Sequence, residues 1–153
     1  MKNSHKTVTK NFPENIQGGI MICGINYGYS KQDEATDSDP AHAYQALVAP
    51  LSFFSDVSVN GGPYKTRILE WLAGWGISLE RDPLQAGGLE RSYLQTNWID
   101  SQTRSIDSNP DERINNTVLI ERAEDGFLQL IEARKPRVII FVGLMLIEAF
   151  NDI

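Results

Sequence analysis

Hydrophobic residues gather along this chain into short runs, with amphipathic stretches of helical period between them. The first run, about Gly19 to Ile25, has the length and apolar continuity of a strand buried on both faces. Ser92 to Trp98 reads as a second strand ending at Thr96-Asn97, and Val138 to Val142, nearly all β-branched or aromatic, is the clearest of all. From Pro63 to Trp75, Ile68, Leu69, Leu72 and Trp75 recur at helical spacing. Pro63 suits a first helical turn and Gly76 a C-terminal cap. Trp71 and Trp75 are accordingly expected in the core or half-buried, not as a ligand platform. Asn109, Pro110 and Glu112 form a helix start, and that helix is expected to continue through Ile114, Val118, Leu128 and Ile131 to about Arg134. Gly126 is a weak point within it, costing about 1 kcal/mol relative to alanine. Pro136 ends it. A short helix is expected over Ala41 to Val48, and a last one over Leu144 to Phe150 after the turn at Gly143. Residues 1–17 are polar and aperiodic, and read as a loose tail ahead of a single domain, 18–153.

Strands alternating with helices predict an α/β fold: a three-layer α/β/α arrangement with a short, mostly parallel central sheet. The three strands end in Asn26, Asn97 and Gly143, so these ends should lie along one crevice, where open sheets bind ligands. Composition narrows the function classes. Apolar content of 41% and charged content of 22% exclude disorder for most of the 153 residues. One cysteine, Cys23, excludes an internal disulfide and any multi-cysteine metal site, and its apolar surroundings mark it as a small buried hydrophobe. No metal and no cofactor is expected. The longest apolar run, Val138 to Ile147, falls short of the roughly 18 residues of a membrane span. The first ten residues lack the apolar centre of a secretion signal, so a cytoplasmic location without a membrane partner is expected. A net charge of −6 argues against a non-specific nucleic-acid coat but leaves room for a small basic crevice.

The chemistry concentrates at the strand ends. Gly24 and Gly28 flank Asn26 in a turn that lets backbone approach a ligand, although an ordinary strand-to-loop turn has the same composition. A carboxamide both donates and accepts, so Asn26 and Asn97 together suit the edge of a base such as uracil, or a held water molecule. Arg104, with the hydroxyls of Ser101, Thr103 and Ser105, follows the second strand and could grip a phosphate. Dinucleotide binding is poorly supported, because Gly24-Ile25-Asn26-Tyr27-Gly28 does not match G-x-G-x-x-G.

The wording and order of these motifs resemble the uracil-DNA glycosylase superfamily over about residues 19–150. Gly-Ile-Asn-Tyr-Gly is similar to the Gly-Ile-Asn-Pro-Gly of the mismatch-type enzymes. The later layout resembles the iron–sulfur type: Thr96-Asn97 closing a strand, Asn109-Pro110 in a loop, a long helix, then Pro136 leading through Val138-Ile139-Ile140 to Gly143. By that resemblance Asn26 positions or activates water, and Asn97 reads the uracil edge. The backbone of Ile25, Tyr27 and Gly28 lines the pocket, and Phe54, or its neighbour Phe53, stacks on the base. The implied partner is DNA carrying uracil or a mismatch. Three departures qualify it: the four cluster cysteines are missing, Tyr27 replaces proline, and no His-Pro-Ser motif follows, the only histidines being His5 and His42. The resemblance also expects a further strand after Ile153, so the last strand of the sheet is absent from the sequence and the domain is read as C-terminally incomplete. Val138 to Val142 would then be an uncharged sheet edge, an aggregation hazard unless a longer natural chain or a partner chain covers it. A degenerate paralogue is the third reading of that ending. The functional alternative is a non-catalytic nucleobase or nucleic-acid binding module that keeps the pocket without the chemistry.

Overall fold

The computed structural model describes residues 5, 7, 9, 11–25, 27–28, 63–77, 91–99, 102–103 and 114–153, with 27–28, 63–64, 102–103 and 125 described as backbone only. Its strands are β1 (Ile20–Gly24), β2 (Tyr27–Gly28), β3 (Tyr93–Asn97), β4 (Gln102–Thr103) and β5 (Val138–Phe141). The helices are α1 (Pro13–Ile16), α2 (Pro63–Gly74), α3 (Asn116–Arg122), α4 (Leu128–Arg134) and α5 (Leu144–Asn151). The three apolar runs form one sheet in the order β3-β1-β5, both pairings parallel, while β2 and β4 form a separate ribbon.

The period-two alternation of β1 sorts the core into two halves. Met21 and Cys23 pack with Leu119, Ala123, Leu130 and Leu146 from α3 to α5; Ile22 packs with Ile68 and Leu72 of α2 and with Tyr93. Helices therefore cover both faces, giving the α/β/α layers. With β1 in the centre, the chain moves to one side to reach β3 and back across β1 to reach β5. A crevice at the strands' carboxyl ends follows from that reversal.

Local signals explain most element ends. Past α2, Gly76 at φ 78° lets its own N–H reach the Ala73 carbonyl at 2.9 Å and the Ile77 N–H reach Leu72 at 2.8 Å, a paired closure that needs the left-handed conformation. Trp71 and Trp75 are 38% and 60% exposed, so Trp75 is not the core or half-buried residue its spacing suggested; it lies on the outward end of the helix. The helix expected to run unbroken through Ile114 does not. Ile114 and Asn115 are non-helical, and Asn115 is the cap, its side chain accepting the Val118 N–H at 3.0 Å. Residues 109–113 and the helix expected over 41–48 lie outside the described residues. Gly126, expected as no more than a weak point within one continuous helix, breaks it: with φ 153° it sits in a π-helical turn, Ala123–Phe127, between α3 and α4.

The amino-terminal segment departs most from expectation. Where described, it is not a loose tail but a strap running antiparallel along the free edge of β3. Thr7 bridges Thr96, the Gln95 N–H donates to Thr9 Oγ1 at 3.0 Å, and Asn15 Nδ2 donates to the Tyr93 carbonyl at 2.9 Å. His5 Nε2 meets the Asn97 carbonyl at 2.6 Å. Main-chain groups of residues 93, 95 and 97, those turned away from β1, are thus each met by a side chain. Polar side chains here extend a single main-chain bridge, so no apolar pattern announces the strap.

The opposite edge is open among the described residues: β5 pairs with β1, and Val138 at its start is 51% exposed. Val138→Lys should leave stability within about 0.5 kcal/mol of the native value, the range of ordinary surface changes. It should also lower concentration-dependent light scattering, because a charge on an edge opposes edge-to-edge pairing. Scattering that stays the same would show that this edge does not drive association.

Candidate functional site

Parallel pairing in one register puts the ends of β1 and β3 at the same level: Ile20 lies opposite Tyr93, and Gly24 opposite Asn97. The two chains then continue side by side. The Trp98 N–H donates to the Gly24 carbonyl at 2.8 Å and the Ile99 N–H to Ile25 at 2.9 Å. Beyond them β2 and β4 pair Tyr27 with Gln102 and Gly28 with Thr103. The third strand joins the same edge, the Val142 N–H donating to the Cys23 carbonyl at 2.9 Å. Gly143 follows at φ 140°, and a Cβ there would lie 3.7 Å from Ile25 Cδ1.

Of the residues singled out from the sequence, Ile25, Tyr27, Gly28, Asn97 and Thr103 are brought together on these two loops. Asn26, Phe53, Phe54, Ser101, Arg104 and Ser105 lie outside the described residues, and Tyr27, Gly28 and Thr103 are placed by backbone alone. Asn97 is the last residue of β3 and only 6% exposed; by alternation it shares the α2 side of the strand with Tyr93 and Gln95. On that same side Lys65, 4% exposed, extends the sheet-facing stripe of Ile68 and Leu72 by one turn.

The packing behind Asn97 is rigid. Trp98 is fully buried, its indole N–H donates to the Leu119 carbonyl at 2.7 Å, and its ring stacks on Phe127 with centroids 4.5 Å apart. The sequence marked Trp98 only as a strand end, and nothing in its spacing announced the stack. His5 was assigned to the tail and is the other residue missed, since a lone histidine in a polar segment carries no periodic signal. Cys23 is the buried hydrophobe expected: burial pushes its thiol up, and its Sγ–H faces the Gly24 carbonyl at 3.3 Å. Burial likewise raises the Tyr93 phenol and lowers the Arg134 guanidinium.

An apolar dimple lined by Ile22, Ile68, Trp71, Leu72, Trp75 and Ile140 lies under α2, on the face of the sheet and not at its carboxyl edge. It offers no donor or acceptor to a polar ligand. Among the described residues no group of three His, Cys, Asp or Glu side chains converges to hold a metal ion, and no helix is long and apolar enough to cross a membrane. No family model matches the sequence, and no curated protein is significantly similar to it.

Proposed function

We propose that this chain is a DNA-repair protein resembling uracil-DNA glycosylases, which takes a flipped uracil-type base into the crevice at the ends of β1 and β3 and hydrolyses its N-glycosidic bond. One observation carries the reading: Gly24 and Asn97 are register partners. The Gly-Ile-Asn-Tyr-Gly turn and the Thr-Asn strand end, far apart in sequence, therefore emerge at one place, as a shared base site requires.

The chemistry follows from the residue types. Extrusion of the base costs a few kcal/mol of stacking, least for a mismatched or single-stranded base. The Asn97 carboxamide matches the alternating carbonyl and N–H of a uracil edge, and Phe54, or Phe53 beside it, supplies the stacking surface. Water held by Asn26 attacks the sugar C1′. A C–O bond forms, the C–N bond breaks, its electron pair leaves with the base, and the proton shed by the attacking water passes to the departing base anion or to solvent. A neutral carboxamide cannot take the water's proton as a general base, so the enzyme should be slower than one with a carboxylate there. Arg104, with Ser101 and Thr103, would hold the backbone phosphate without reading sequence.

Uracil release from single-stranded and mismatched oligonucleotides tests this. Asn26→Ala and Asn97→Ala should each lower the rate by roughly a hundredfold, the scale for removing one well-placed polar group from a transition state. A full-rate Asn26→Ala would contradict the mechanism. Calorimetric binding of the uracil strand without any release would select the non-catalytic module instead.

A further inference from the structure

We propose that His5 is a positioning residue for Asn97, fixing the peptide from which the base-reading carboxamide projects; this rests on the reading of Asn97 given above. A carbonyl oxygen only accepts, so the 2.6 Å contact requires the hydrogen on His5 Nε2, which donates to the Asn97 carbonyl. That bond sets the plane of the peptide joining Asn97 to Trp98, and Trp98 is locked on the far side by its stack and its bond to Leu119. Asn97 is thereby held from both directions.

The slot that receives the imidazole is built at some cost. A Cβ on Gly126 would lie 3.2 Å from His5 Cβ and 3.3 Å from Nδ1, both tighter than ordinary contact. Phe127, next along, faces the ring at a centroid distance of 6.0 Å and an angle of 58°. Glycine in the middle of a helix costs about 1 kcal/mol, and π-helical turns of this kind are frequent at functional sites. Here the irregular turn and the missing side chain make room for one ring. Like Thr9 and Asn15 at Gln95 and Tyr93, His5 covers a main-chain group on the free edge of β3, but only His5 does so at the residue that ends the strand at the crevice.

The test compares binding of a uracil-containing single-stranded oligonucleotide, and the same strand with cytosine, to the native protein, His5→Ala, His5→Gln and Thr9→Ala. His5→Ala should bind the uracil strand roughly tenfold more weakly, the worth of one hydrogen bond. His5→Gln, whose carboxamide N–H can reach the same carbonyl, should restore native affinity, and Thr9→Ala should keep it. If His5→Ala does not fold, His5→Leu against His5→Gln repeats the comparison with the slot filled in both. Native affinity in His5→Ala, no recovery in His5→Gln, or an equal loss in Thr9→Ala would overturn the assignment while leaving the base site in place. A native protein that does not distinguish uracil from cytosine, whose edge reverses the donor and acceptor at positions 3 and 4, would overturn the reading of Asn97 and this inference with it.

Discussion

Trp98→Ala is expected to cost about 3–5 kcal/mol of folding stability, the range for emptying a large aromatic site in a packed core. The indole is fully buried, stacks on Phe127 at 4.5 Å, and lies 5.9 Å from Phe141 and 6.3 Å from Phe150. Truncation thus removes one ring from a cluster that ties the π-helical turn, β5 and α5 together. It also leaves the Leu119 carbonyl without the indole N–H. Trp98→Phe separates the two losses, keeping most of the ring and losing the bond, and should cost about 1–3 kcal/mol. Urea unfolding of the three proteins gives both numbers; a loss below about 1 kcal/mol in Trp98→Ala would mean that the cluster is not the keystone of that layer.

Gly19→Ala should be as damaging through backbone alone. Gly19 has φ 77°, and an added Cβ would sit 2.4 Å from the Ser92 carbonyl oxygen and 2.9 Å from that of Glu14. Neither can step aside cheaply, because the Ser92 carbonyl accepts the Ile20 N–H at 2.9 Å to begin the β1–β3 pairing. A loss above about 3 kcal/mol, or no folded protein, is expected, since strain and clash add. Gly74→Ala is the control. Nothing lies within 4 Å of a Cβ there, it closes α2, and alanine should stabilise by about 0.4–1 kcal/mol. Thermal melts of both variants check the sign of each; equal small effects would contradict the geometry at Gly19.

The parallel sheet was legible because β1 reads as a continuous apolar run and β5 as a β-branched and aromatic one, while β3 is buried along its whole length despite Gln95, Thr96 and Asn97. Cys23, Gly76 and Pro136 carried their local meaning correctly because burial, positive φ and proline geometry act through a residue and its neighbours. The amino-terminal strap was illegible. Its contacts are side chain to main chain, spaced two residues apart on β3 but unevenly along residues 5 to 15, and no hydrophobic period encodes them. Ile114 fell inside the expected helix but is non-helical, because Asn115 directly after it is the residue that caps α3. Trp75 misled in the opposite way: it keeps the helical period but stands past the last residue of α2 and is 60% exposed. Of the candidate site, the two-loop frame followed from strand ends alone. His5 did not, because only the antiparallel run of the strap brings it to Asn97.

The central claim is that a nucleobase binds where β1 and β3 end. Titration of uracil into ¹⁵N-labelled protein, followed by amide shifts, tests it most directly. Shifts concentrated at Ile25, Tyr27, Gly28 and Asn97, and abolished by Asn97→Ala in a protein that remains folded, are the predicted result. Shifts confined to the Trp71 and Trp75 dimple, or none at saturating uracil, would contradict it.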